Sequence, residues 1–533
     1  PKMSASNKVI TQSKIARSNP KSADDIVGVT PGVSIVQHGS EGKGHQIIIQ
    51  GFDAAHGSNV EVLLEGVGMN EPSHVHGQGY LDLYGIIPEL VSKMEVSKGA
   101  FLPWQGDFAL AGSLQLSLGL SEEHRPGFLS FEGSHRGRFR AVAAAGPKDA
   151  NNETFGAVDL VKDLGFGPDR DASRAAFLGQ YRHETKNKGN LLFLLSMQSA
   201  RFESPETLKL SDVNNKKKDF LGSYSPPGNG LSDRVMTKIS YKHEFPKGNF
   251  EVAGFALYRD FLLEENFTGN LWFSEHGDLR RQVQRGFSGG FFSNLEQKIP
   301  VNIPTRLLAG MGWRMDVNNQ WEQQLDLDKE PWQNNRDLKY SLNSLFGYTG
   351  IGINPFHWFT LLPSVRAAIF GVSVNDKLQN KSVSEIEATV LPRLAVSFPV
   401  NDKFCFFIDY GRGYRSFEAG AVAALPVEKI EDERLSQYRG GSPKITVADT
   451  GEVGLKSSPV KILSFSLLGF FAFVEREMVF DHVSNINIAM DGTRRIGASA
   501  DLEIRPLSWM TLTGELTFVD AKFNRSGNKV PGV

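Results

Sequence analysis

Residues Ala23 to Leu120 read ADDIVGVTPGVSIVQHGSEGKGHQIIIQGFDAAHGSNVEVLLEGVGMNEPSHVHGQGYLDLYGIIPELVSKMEVSKGAFLPWQGDFALAGSLQLSLGL. Strand-like pieces, Val33 to Val36, Gln46 to Gln50, Glu61 to Leu64 and Met94 to Val96, are separated by glycine-rich turns, which describes a compact mixed domain with little room for a large core. From about Gly127 onward, alternating strands follow one another with turn signals between them and no helical period, the pattern of a large antiparallel sheet or barrel. A small head ahead of a long run of strands sets the architecture.

Composition bounds the rest. A chain of 533 residues is too long for one ordinary domain, although one barrel-sized unit plus a small head also fits. The net charge of -2 gives no basic face for nucleic acid. Hydrophobic content of 40% leaves a membrane barrel open, because such a barrel is apolar only at alternate residues. The single cysteine, Cys405, permits no internal disulfide and no zinc ribbon. No apolar run of about 18 residues exists for a transmembrane helix. With neither an initiator Met nor a signal-peptide pattern at Pro1, the sequence reads as a mature or trimmed fragment.

Period-two alternation recurs along the strands. Ala500, Leu502 and Ile504 alternate with Ser499, Asp501, Glu503 and Arg505; Met510, Leu512, Leu516 and Phe518 with Thr511, Thr513, Glu515 and Thr517; Val235, Ile239 and Tyr241 with Lys238, Ser240 and Lys242. Lipid outside and a wet lumen inside would give this pattern, and so would a soluble sandwich or propeller with one buried face. Aromatics near strand ends (Phe291-Phe292, Trp358-Phe359, Tyr410) favour the membrane, as does the absence of a propeller repeat. So does the alternation of short turns, such as Phe245 to Asn249, with long polar segments, Glu203 to Asp233, Val317 to Asp337 and Glu418 to Thr450.

The head resembles the plug of TonB-dependent receptors, the gated transporters of the Gram-negative outer membrane. The resemblance rests on Pro31-Gly32-Val33 with Ile47-Ile48-Ile49-Gln50-Gly51-Phe52, on Leu64-Glu65-Gly66-Val67, on Met94 to Ala100, and on Gly106 to Leu114. Gln50 stands where the family usually has Arg, and Glu65 where it usually has Asp. In the second half, Gly411 to Ala419 and Gly451 to Lys456 are also family-like. The resemblance implies a mainly β fold: a transmembrane antiparallel β-barrel, 22-stranded in the family, around an N-terminal α+β plug domain in the lumen. Residues 1–21 read as a polar lead-in without a convincing TonB box, 22–120 as the plug and 121–533 as an incomplete barrel. About 17 candidate strands are counted, an odd number that implies truncation at the C-terminus and two open edges.

The implied function is TonB-dependent active import of a scarce substrate, a ferric siderophore or other metal chelate, at the outer membrane. The partners are then TonB, the small-molecule substrate and outer-membrane lipid, with no nucleic acid and no cofactor. A free transition metal, cobalamin or an oligosaccharide are alternative cargoes; a passive porin and a soluble β-rich binding or adhesion protein are rival classes. No nucleophile elbow or zinc-protease motif argues for an enzyme.

By the same resemblance, the loops around 51–59 and 70–80 form the outward apex of the plug, where substrate rests. That places His56, Gly57, Asn70, Glu71, His74, His76, Gln78 and Tyr80 near one site. A His-x-His pair on an extended segment puts both rings on one side, so His56, His74 and His76, with Glu71 or Asp82, are candidate metal ligands. The competing expectation is that these rings and amides fasten plug loops to the barrel wall by hydrogen bonds. Gly39 to Gly44 lacks the spacing of a phosphate loop and reads as a flexible turn. Lys216 to Lys218 reads as a solvated loop. Trp321, Trp332 and Tyr340 read as a loop able to stack on ligand or anchor at the interface, and Glu61 and Glu65 as partners of barrel arginines.

Overall fold

The computed structural model describes residues 7–525 apart from 38, 40, 149–152, 206, 225–226, 272, 274, 424–443 and 482–485. The head holds eight strands, β1 (Lys8–Thr11), β2 (Val33–Val36), β3 (Gln46–Ile49), β4 (Phe52–Ala54), β5 (Val60–Leu64), β6 (Val67–Gly68), β7 (Val91–Lys98) and β8 (Gly112–Leu118), and two short helices, α1 (Gln12–Ser18) and α2 (Ala23–Gly28). One sheet has the order β1-β7-β8-β5-β6 and a second the order β2-β3-β4. β8 lies at the centre, and β5 runs parallel to it from Val60↔Gly112 to Leu64↔Leu116. β5 is apolar apart from Glu61 and buried along almost its whole length, as a strand covered on both faces requires. A Ser22–Asp25 capping box satisfies the exposed amides at the start of α2.

Both departures from the family wording fall at the first position of a two-residue hairpin turn. Gln50 and Glu65 have φ of 48° and 49°, and each is followed by a glycine with positive φ. Consecutive left-handed residues are the geometry that twist-matched two-residue hairpins demand. Ahead of them, the polar lead-in is ordered from Lys8: β1 pairs with β7 along four residues, and Ile10 and Ile15 are buried in the core.

Around the head stand seventeen strands, from Gly127–Gly133 to Met510–Phe523, each antiparallel to the next. Apolar residues face outward and polar ones inward: Ile239 is 54% exposed while Lys238 is 3% exposed. The choice left open by alternation is thereby decided, because the inward polar face meets the head. The expectation of two open edges needs correcting. The strand order returns to its start, so the last strand stands beside the first. With an odd number both run in the same direction, which rules out an antiparallel seam. Beside the seam, Phe131, Leu516 and Phe518 are about as exposed as lipid-facing side chains elsewhere on the barrel.

The connections alternate in length, as expected, but one long segment is not a loop. Val317 to Asp337 belongs mostly to strands Thr305–Leu325 and Pro331–Phe356, which rise beyond the sheet and meet in a tight turn. Its polar composition belongs to strand residues, since Gln320, Glu322 and Gln324 face inward and are buried. Trp321 and Trp332 therefore sit on strands, and Tyr340 is buried and donates to the Ser73 carbonyl at 2.6 Å. The segment from Glu418 opens with a helical turn, Ala419–Ala423, and rejoins the sheet at Thr446; its middle lies outside the described residues.

Candidate functional site at the plug apex

The turn after β4 and the loop from Asn70 to Tyr80 fold against each other, and they bring every expected apex residue into one cluster. An isolated bridge, Glu71↔Tyr80, closes the loop. Asn70 staples it: its Nδ2 donates to the carbonyls of Gly57 (3.0 Å) and Val60 (2.9 Å), while its Oδ1 accepts from Val62 N (2.9 Å). Tyr80 accepts from Gly44 N at 2.8 Å and stacks on His74 with ring centroids 4.2 Å apart. Gln78 donates to the Ser416 carbonyl, and Ser73 accepts from Ala419 N at 3.1 Å, so the segment after Arg415 roofs the loop. His56, Asn70, His74, His76, Gln78 and Tyr80 are all buried, and Glu71 is mostly so.

The three histidines do not form the expected metal triad. His74 Nδ1 accepts from the backbone amide of His76 at 3.2 Å, which commits its lone pair and leaves the proton on Nε2. Nε2 then points toward Glu71 at 4.0 Å. His56 and His76 instead meet each other, Nε2 to Nε2 at 3.2 Å. Among the described residues no three His, Cys, Asp or Glu side chains are arranged to hold a metal ion. Burial pushes the basicity of His74 and His76 well below the usual histidine range, and the nearby positive groups, Arg259 for His74 and Lys43 for His76, add to it.

Beneath the cluster, charge ties plug to wall. Asp82 accepts from Arg259 Nη1 (2.9 Å) and Gln198 Nε2 (2.6 Å), and from Ser232. Burial alone would raise the Asp82 carboxyl, but Arg259 and these hydrogen bonds hold it below the usual range. Glu71 lies 3.3 Å from Arg259 Nε and accepts from Gln284 at 2.8 Å; desolvation still raises it. His76 meets Gln282 of the wall at 2.9 Å. Elsewhere wall arginines reach plug carbonyls: Arg314 to Gly68, Arg366 to Trp104, Arg495 to Gly51. Lys43, in the segment read as a flexible turn, is buried against Glu265. Glu61 accepts from Gly106 N beside Arg366, and burial lifts it to about 7. Glu65 has Lys238 as its charged neighbour in place of the arginine expected.

Comparison with known proteins places the whole arrangement. The plug domain of TonB-dependent receptors matches residues 2–113, and the family's β-barrel matches residues 129–533. The chain belongs to the TonB-dependent receptors. Among solved structures, the receptor resembles the ferric citrate transporter FecA in its unliganded form, with a TM-score of 0.80, 14% identity, and coverage of 99% of this chain and 80% of that one. It also resembles the ferric yersiniabactin uptake receptor FyuA from Yersinia pestis (TM-score 0.78, 13% identity, covering 100% and 82%) and the copper transporter OprC (0.72, 13%, 99% and 81%). At these identities the likeness is one of fold.

Two cavities flank the apex of this receptor, and sequence reading found neither. One, of about 360 Å³, lies where the barrel strands end in longer connections, between Phe267, Thr268, Asp278, Arg280, Glu322 and the Gln333–Asn335 edge. The other, also about 360 Å³, runs under Asn70 and Pro72, past Glu61, Asp107 and Arg366, toward Asn249 and Glu296 near the short turns. Their lining comes from strands distant in sequence, so no local motif could announce them.

Proposed function

We propose that this receptor imports a ferric siderophore or other metal chelate across the Gram-negative outer membrane, using energy delivered by TonB. The observation that carries the reading is the basin beside the apex: Arg280, Gln324, Gln333, Asn334 and Asn335 offer amide and guanidinium donors that suit an oxygen-rich, anionic chelate. Substrate seated there touches Phe267 and Glu322, and both lead to the apex histidines, one by ring contact and one through Gln282. Beside an apolar seam that includes Val142, Leu178 and Met236 of the wall, ion pairs and amide contacts tie plug to barrel, and water can replace these as the plug rearranges. β1 joins the plug sheet only through a four-residue edge ladder to β7, which a pull can unzip pair by pair.

The test is equilibrium binding of ferric citrate and of a hydroxamate and a catecholate ferric complex to the detergent-solubilised receptor. Saturable binding of one of them, weakened when Arg280→Gln and Asn334→Ala are combined, is the expected result. Binding of none, or binding indifferent to the basin substitutions, overturns it.

A further inference from the structure

The plug is not held equally all round the wall. Facing the strands from Arg138–Ala145 to Ala172–Glu184 it is clamped by paired charges. Arg138 Nη2 donates to Glu41 at 2.6 Å, Arg140 grips Glu89 through both terminal nitrogens at 2.7 and 2.9 Å, and Arg174 reaches Glu41 at 3.4 Å. Asp159 lies 3.1 Å from Nη2 of Arg140 and of Arg174 and holds both in place. Val142 and Leu178 of the same strands pack into the plug's apolar core. Charge-assisted bonds of this kind are about twice as strong as neutral ones.

Farther round the barrel, from strand Gly248–Asn266 to strand Phe359–Asp376, the cavity of about 360 Å³ that passes Asn70 and Pro72 separates plug from wall down to Asn249 and Glu296. Beside it, wall side chains meet plug carbonyls one by one: Lys238 donates to Glu65 at 2.6 Å, Arg314 to Gly68 at 3.1 Å and Arg366 to Trp104 at 3.3 Å. Lys238 and Arg314 keep their ion pairs within the wall, with Glu251 and Asp316. A carbonyl released from one donor takes water in its place. The plug element on this side is also weakly tied to its own sheet, because β6 is an edge strand joined to β5 through Leu63↔Gly68 and Leu64↔Val67.

We propose that substrate passes the plug on this side, between the cavity wall and β6 with the Trp104–Phe108 turn, while the Glu41 and Glu89 contacts hold the clamped face in place. The inference rests on the import reading above and goes beyond it by assigning the route. The cavity already falls within the roughly 300–1,000 Å³ that small-molecule sites occupy. Passage therefore asks for the shift of an edge strand and a turn, and the domain stays in the barrel. The lining suits a chelate in transit: Trp104, Phe346 and Tyr348 offer ring faces, and the Arg366 guanidinium lies 4.0 Å from the Phe346 ring centre. A pull on β1 reaches this side through the sheet order β1-β7-β8-β5-β6, whose far edge is β6.

Cysteine pairs in the full-length Cys405→Ser receptor separate the two faces. Gly68→Cys with Arg314→Cys spans the cavity, and the atom nearest a Cβ at Gly68 is the Arg314 Nη1, 3.5 Å away, which the second substitution removes. Glu41→Cys with Arg138→Cys spans the clamped face. Each pair is bridged with a reducible bis-maleimide, and cells are assayed for uptake of ferric citrate and of a hydroxamate and a catecholate ferric complex. The cavity bridge should lower uptake by about tenfold or more, with recovery on reduction, while the Glu41 bridge leaves it within about twofold. Uptake that survives the cavity bridge, or falls equally with either bridge, overturns the proposal. A second measurement needs no substrate: in detergent with rising urea, a polyethylene glycol maleimide should modify the Ser344→Cys variant about tenfold faster than the Ala176→Cys variant, whose position lies on the clamped wall. Equal rates, or the reverse order, overturn it as well. Should none of the three complexes bind, the import reading falls, and the order of labelling still decides which face of the plug opens.

Discussion

Asp82 of the plug lies 2.9 Å from Nη1 of Arg259 on the barrel wall, and both side chains are almost wholly removed from water. Glu71 shares the same guanidinium at 3.3 Å. Arg259→Met would leave two buried carboxylates without their main counter-charge, and breaking a buried pair from one side costs about 3–5 kcal/mol. The plug should become protease-sensitive in detergent while the barrel keeps its heat-modifiable mobility on gels. Adding Asp82→Asn should restore part of the protection; a single variant as resistant as the parent would show that this contact does not hold the plug.

Stability of the plug should fall as pH rises from about 4.5 to about 7. Burial lifts Glu61 from 4.5 to about 7, so in that interval the folded plug retains a proton that the unfolded chain has released. The stabilisation is fully present below the unfolded value and is lost as pH passes through the folded one, with an upper bound of about 3 kcal/mol. Asp107, lifted to about 6, has largely finished its own titration before the top of this window. Hydrogen exchange at the Gly106 amide, corrected for intrinsic rate, reads the effect, and Glu61→Gln should flatten it.

Two neighbouring glycines should respond differently to alanine. Gly79 has φ 77°, and a Cβ there would lie 2.8 Å from Ser58 Cα and 2.9 Å from the Phe108 ring. Gly79→Ala should cost about 2 kcal/mol or more and release the loop over 71–80. A Cβ on Gly77 meets nothing within 4 Å, so Gly77→Ala should stay within about 0.5 kcal/mol. Thermal melting of the two variants, with exchange at the Glu71 and Gly79 amides, separates a steric from a purely compositional effect.

Phe287 projects outward near the middle of strand Leu279–Ile299 and is 65% exposed. A lipid-facing site at mid-depth should lose about 2–4 kcal/mol on Phe287→Arg. Denaturant titration of folding into vesicles tests this; a neutral result would argue against lipid on that face.

The division between head and strands, the outward apolar face and the plug identity were legible in the residues. Glycine spacing, period two and the wording around Ile47 to Phe52 and Met94 to Ala100 are local properties, and local properties survive without coordinates. Polar strands were harder. Gln320, Glu322 and Gln324 read as loop because their inward face meets protein and polar partners instead of an apolar core, a circumstance that propensity cannot encode.

The gathering of the apex residues was implied by the resemblance of the sequence to the family's plug, in which these two loops form the apex. Only the tertiary structure decided what each does there. Whether a histidine nitrogen holds a proton or a lone pair depends on the atom facing it, and those atoms come from elsewhere: Gly44 for His56, Gln282 of the wall for His76, a turn of its own loop for His74. The expected triad thus resolves into a facing pair and a stacked third ring, because hydrogen-bond direction is set by the atom that folding brings opposite each nitrogen, for His76 one from a wall strand 206 residues away.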